Sequence, residues 1–214
     1  MRELERVMRR FPGMENPLSD GAVEEVQRLP GILQDILILY GFSSLSFFAS
    51  PVIAGAVNIS IITILPIVTL TEGGSIIGGM TEPFTTKLLP AIFVAYVFMN
   101  VRNSGISLEV HALPLAILGG IMMNLGEVYW IKIPQHASNT PPQIIISAMF
   151  ATMFLHVVGA ILVAGTYFRT VEEDVSIRRA LIRTLPWILI AMAFHVSWNG
   201  WFSKQDWFIQ FWFS

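Results

Sequence analysis

The chain has 214 residues, 54% hydrophobic and only 13% charged, about half the charged share of an ordinary soluble domain. Thirteen Lys and Arg with fifteen Asp and Glu cannot cover a folded unit of this size, which excludes a soluble globule and leaves a polytopic α-helical membrane protein. A formal net charge of −2 offers nucleic acid no broad basic footprint, and the lack of cysteine removes disulfides, thiolate nucleophiles and iron–sulfur clusters.

The expected fold is all-α: a transmembrane helix bundle of about six spans behind an N-terminal cytoplasmic amphipathic segment. The expected divisions are residues 1–30 (that segment), 31–203 (the transmembrane domain) and 204–214 (an aromatic interfacial tail). Within 1–30, residues 3–11 read as one amphipathic helix and 21–29 as a second short helix, capped by Ser19-Asp20. No apolar stretch of a cleavable signal peptide is present there, so targeting rests on the spans.

A helix needs about 20 residues to cross a hydrocarbon core of ~30 Å. The apolar runs place spans at 32–49, 52–70, 88–101, 113–131, 144–167 and 185–202, the first interrupted by Asp35. Only Ser50-Pro51 separates the first two, which predicts a tight hairpin. The stretch 72–80 holds four glycines and predicts irregular, re-entrant backbone at the membrane edge. Nine of the thirteen basic residues lie in 2–28 and 169–183. Five spans separate these stretches, an odd number that conflicts with collecting both on the cytoplasmic side. A cytoplasmic N-terminus and the cell membrane are the expected topology and location.

An ionised group in mid-span costs ~2.5–3.5 kcal/mol on insertion scales, so each one within a span needs a reason. Asp35, Glu127, His156 and His195 qualify. His195 lies ~15 Å inward from Leu185, and His156 ~16 Å inward from Tyr167, at 1.5 Å of rise per residue. Those two ends flank one connection, so the histidines share a depth. Glu127 is offset by about 10 Å on the same scale. Asn199, four residues after His195, shares its helical face. Two imidazoles and a carboxylate, His156, His195 and Glu127, make three ligands for Zn²⁺ with a fourth position for water, whose pKa the metal lowers toward ~7. No HExxH spacing is present. Without metal, Glu127 is a general base and the histidines with Asn199 stabilise an oxyanion.

Three segments resemble motifs of the PrsW-like branch of the CAAX-processing and bacteriocin-processing intramembrane protease superfamily, which also includes the scaffold subunit of γ-secretase. Gly126-Glu127-Val128-Tyr129 resembles its glutamate-and-aromatic element. His156-Val157-Val158-Gly159 resembles its histidine followed by small residues, and His195-Val196-Ser197-Trp198-Asn199 its His-x-x-x-Asn element. In Thr81–Lys87, Lys87 takes the lysine position of a Glu-Glu-x-x-Lys motif. Pro83 and Phe84 take its glutamate positions, and Glu82 stands one residue earlier. The resemblance covers about residues 81–200. It implies intramembrane peptide hydrolysis at Glu127, His156, His195 and Asn199, with Glu82 as a candidate base and a membrane-protein or peptide substrate.

Two other function classes fit the same residues. One is a non-catalytic subunit or scaffold, with Gly119, Gly120, Gly126, Gly159, Ala160 and Ala164 meeting a partner subunit or a further copy of the chain. The other is an ion or proton pathway using Asp35, Glu127 and the histidines as relay groups. His111 and His136 read as solvated loop residues, and the basic stretch 169–183 as a loop able to meet anionic lipid head groups.

Overall fold

The computed structural model describes residues 20–64, 73–101, 106–136, 142–171 and 177–201. Within them the backbone is helical except at Ile106, Ser107, Val171 and Trp201, and no strand occurs among the described residues. The expected helix at 3–11 and the aromatic tail at 204–214 lie outside them. The chain divides into two units, Met1–Leu37 and Ile38–Ser214. Four described helices are long and apolar enough to cross a membrane: Gly31–Val57, Leu108–Lys132, Met149–Thr170 and Arg178–Gly200.

The first helix, α1, runs unbroken over Asp20–Ile64. The short helix expected at 21–29 is its first part, and the expected hairpin at Ser50-Pro51 does not form. Pro51 has no N–H to give the Phe47 carbonyl four residues back. The Ser50 hydroxyl takes its place, donating to Phe47 O at 2.7 Å and to Thr86 O at 3.3 Å. The orphaned acceptor is therefore satisfied, and one long helix replaces two of the expected spans.

Next come α2 (Gly73–Glu82), a π-helical turn at Pro83–Leu88, α3 (Leu89–Tyr96) and a second π turn at Val97–Val101. The glycine-rich stretch from Gly73 onward is thus helix rather than irregular backbone. Gly79 shows why glycine suits it, since a Cβ there would lie 3.1 Å from the Val196 backbone of the C-terminal helix. The glycines allow close helix approach.

α4 (Leu108–Glu127) is followed by a π turn at Val128–Lys132 and α5 (Ile133–His136). α6 (Pro142–Ala160) leads through a π turn at Ile161–Gly165 into α7 (Thr166–Thr170), and α8 spans Ile177–Gly200. His111 and His136 are helical, not loop residues. His111 is half-buried, its Nδ1 3.2 Å from the Tyr40 hydroxyl.

α4 and α6 run antiparallel. Gly120 abuts the Val157 backbone, while Asn124 donates to Met149 O at 2.9 Å and accepts from the Thr152 hydroxyl at 2.8 Å. The small residues expected to meet a partner, Gly119, Gly120, Gly126, Gly159, Ala160 and Ala164, are all buried within the chain itself. They let its own helices touch. Leu45, Val110, Phe154 and Ile182 point outward, as an apolar solvent requires.

Gly126 is the tightest of these contacts, because a Cβ would collide with the Phe48 carbonyl oxygen. Gly126→Ala must therefore separate α1 from α4, and a loss of about 1–3 kcal/mol is expected from overpacking. Thermal unfolding in detergent micelles reads it. Gly41→Ala, with nothing within 4 Å of the new methyl, should be neutral or stabilising.

Candidate functional site

Glu82 ends α2, and Glu127 ends α4. Each is followed by a π-helical turn, Pro83–Leu88 and Val128–Lys132, and each turn carries a lysine. On a regular α-helix, residues i and i+5 lie about 140° apart and do not meet. A π turn closes i→i+5 and brings them together. Lys87 Nζ donates to Glu82 Oε1 at 2.7 Å, and Lys132 Nζ lies 3.1 Å from Glu127 Oε1. Pro83 opens the first turn, having no N–H to continue the α-helical ladder.

The two glutamates meet through a histidine. His156 on α6 places Nδ1 3.2 Å from Glu82 Oε1 and Nε2 2.7 Å from Glu127 Oε2. Glu82 Oε2 lies 2.8 Å from His195 Nε2 on α8. The imidazole centroids are 5.9 Å apart. The result is a chain of groups, Lys132–Glu127–His156–Glu82–His195, with Lys87 branching at Glu82. With neutral imidazoles, two carboxylates balance two ammonium groups.

His156 is 1% exposed. Its ring nitrogens sit at ion-pair distance from the carboxylates, yet neither meets hydrogen-bond geometry, so both are buried without a hydrogen-bond partner. An imidazole placed between two carboxylates in this way can accept a proton at one nitrogen and release one at the other.

The expected depth offset of Glu127 does not keep it from the histidine. Helical side chains lean toward the N-terminus of their own helix. In antiparallel α4 and α6 those directions are opposite, so Glu127 and His156 lean toward each other. Asn124, three residues before Glu127, bonds α6.

Glu82 and Glu127 line one cavity of about 170 Å³, faced by Pro51, Ala54 and Gly55 of α1. His156 lies behind the carboxylates and does not line it. Asn199 is half-buried one helical turn beyond His195. Asp35 lies on α1 in the unit Met1–Leu37. Lys87 is 1% exposed, and its stem runs over Gly159, where a Cβ would lie 2.6 Å from Lys87 Cε. Glycine at 159 therefore leaves the channel that Lys87 needs to reach Glu82.

The donor types, imidazole and carboxylate, suit Zn²⁺. Glu127 meets Nε2 of His156, while Glu82 and its partner His195 lie on the Nδ1 side. Among the described residues no group of three His, Asp or Glu side chains is placed to hold a metal ion.

Lys132 went unrecognised in the sequence, and Lys87 drew notice only through the resemblance. The signal for both was a repeated Glu-x-x-x-x-Lys, invisible to a 3.6-residue period. No family model, curated protein or solved structure matches the chain.

Proposed function

We propose that the protein is a multi-pass cell-membrane hydrolase that cleaves a peptide bond of a membrane-embedded substrate with Glu82 and Glu127 as paired acid and base. The observation that carries this reading is that both carboxylates line one cavity and share His156 behind it.

In this mechanism Glu127 takes a proton from a cavity water as the water oxygen attacks the scissile carbonyl. His156 accepts that proton at Nε2 and releases the Nδ1 proton to Glu82. Glu82 then protonates the leaving amine as the C–N bond breaks. General acid–base steps of this type contribute about 10²–10⁴-fold each. Lys87 holds Glu82 in place, and Asn199, on the His195 face of α8, is the oxyanion donor.

A second reading, a non-catalytic subunit, is favoured by one observation: every carboxylate oxygen of the pair already faces an ammonium or an imidazole. Such a closed cluster cements helices without further chemistry.

Proteoliposomes holding the full chain and an isotope-labelled membrane-protein extract separate the two. The hydrolase reading expects new peptide termini within apolar segments, absent for the Glu82→Gln/Glu127→Gln variant. Identical termini in both preparations would leave the scaffold reading standing. Metal content of the same preparation tests the Zn²⁺ form of the chemistry. Stoichiometric zinc lost on His195→Ala would assign water activation to a metal in place of Glu127.

A further inference from the structure

A second concavity lies apart from the carboxylate cluster. It is a groove of about 190 Å³ bounded by Leu113 of α4, Leu162 and Gly165 of the π turn, Thr166 and Arg169 of α7, and Trp187 of α8. Its volume falls below the ~300–1,000 Å³ of pockets that enclose a small molecule. Its occupant must keep most of its bulk outside.

The groove has a polar end and an apolar end. Arg169 is in the last turn of α7, one residue from the end of the apolar stretch Met149–Thr170, which puts its guanidinium at head-group depth. The side chain is exposed, and no carboxylate among the described residues lies within ion-pair distance of it. Arg183 sits one turn before Trp187 on the same face of α8 and is exposed as well. Leu113, Leu162 and the Trp187 ring form the apolar remainder.

We propose that this groove is a binding site for one anionic glycerophospholipid, its phosphate on Arg169 and Arg183 and an acyl chain laid against Leu113, Leu162 and Trp187. Charge complementarity chooses the head group: two arginines with no carboxylate partner among the described residues attract a net anion more strongly than a zwitterion. Openness to the bilayer chooses a lipid over a soluble phosphate, since the rest of the acyl chain continues into the membrane. The site is independent of the hydrolytic reading, because none of its residues touches the carboxylate cluster.

The test is native mass spectrometry of the full chain released from nanodiscs of phosphatidylcholine mixed equally with phosphatidylglycerol. One retained phosphatidylglycerol per chain is expected, with its preference over phosphatidylcholine falling about five-fold for Arg169→Gln and again for Arg183→Gln. Leu113→Trp fills the groove and leaves both arginines in place, and it is expected to release the lipid too. All three positions are exposed, so folding is not at stake, and elution on size exclusion confirms it. Equal retention of the two lipids would overturn the proposal. So would phosphatidylglycerol that survives Leu113→Trp but is displaced by inorganic phosphate, because a surface charge contact would then suffice.

Discussion

Glu82→Ala is expected to destabilise the folded chain by about 3–5 kcal/mol, the penalty for leaving one member of a buried ion pair alone. Lys87 is 1% exposed, and Glu82 is the one carboxylate among the described residues within ion-pair reach of it. Loss of Glu82 strands an ammonium group in the helix bundle and removes the contact of both histidines on that side. A second change, Lys87→Met, in the same chain is expected to restore most of the loss, because it removes the uncompensated charge and keeps the volume. Unfolding in detergent with a denaturant titration checks both variants. A Glu82→Ala chain as stable as the unmodified one would mean that the Glu82–Lys87 pair does not hold the cluster together.

Glu127→Gln should behave in the opposite way. Its lysine, Lys132, is 21% exposed at the side chain and can find water when the carboxylate is neutralised. Stability should change by less than about 1 kcal/mol, as for other partly solvated pairs. Peptide cleavage should fall by about 10²–10⁴-fold, the contribution of a general base. Initial rates in proteoliposomes, set beside the unfolding curve of the same variant, show whether the two effects part. A Glu127→Gln chain that folds and still cleaves at the original rate would remove Glu127 from the chemistry and leave it as a helix contact.

The apolar runs made the helical membrane class legible, because few charges and long hydrophobic stretches admit no other solution. What they obscured was local. Pro51 looked like a break because its missing N–H was visible in sequence, whereas the Ser50 hydroxyl that satisfies Phe47 O was not. The glycines before Glu82 looked like a loop, yet they are where α2 comes close to α8.

Within the site, His156 and His195 were legible by matched depth; Asn199 shares the face of His195 but lies one turn beyond it. The meeting of Glu127 with His156 was not, because counting rise per residue ignores the direction in which side chains lean. Glu82 had only a motif comparison behind it. Its place between two histidines and a lysine depends on a π turn, and nothing in a 3.6-residue period announces one.

Proton transfer between the two carboxylates requires His156 to touch both glutamates. Solid-state NMR of the full chain in lipid, with ¹⁵N-labelled histidine, reads its two ring nitrogens separately. Glu82→Gln is expected to move the Nδ1 resonance, and Glu127→Gln the Nε2 resonance. Glu109→Gln, on the exposed first turn of α4, should move neither. His156 resonances unmoved by both site substitutions would contradict the arrangement and, with it, the proton path between the two carboxylates.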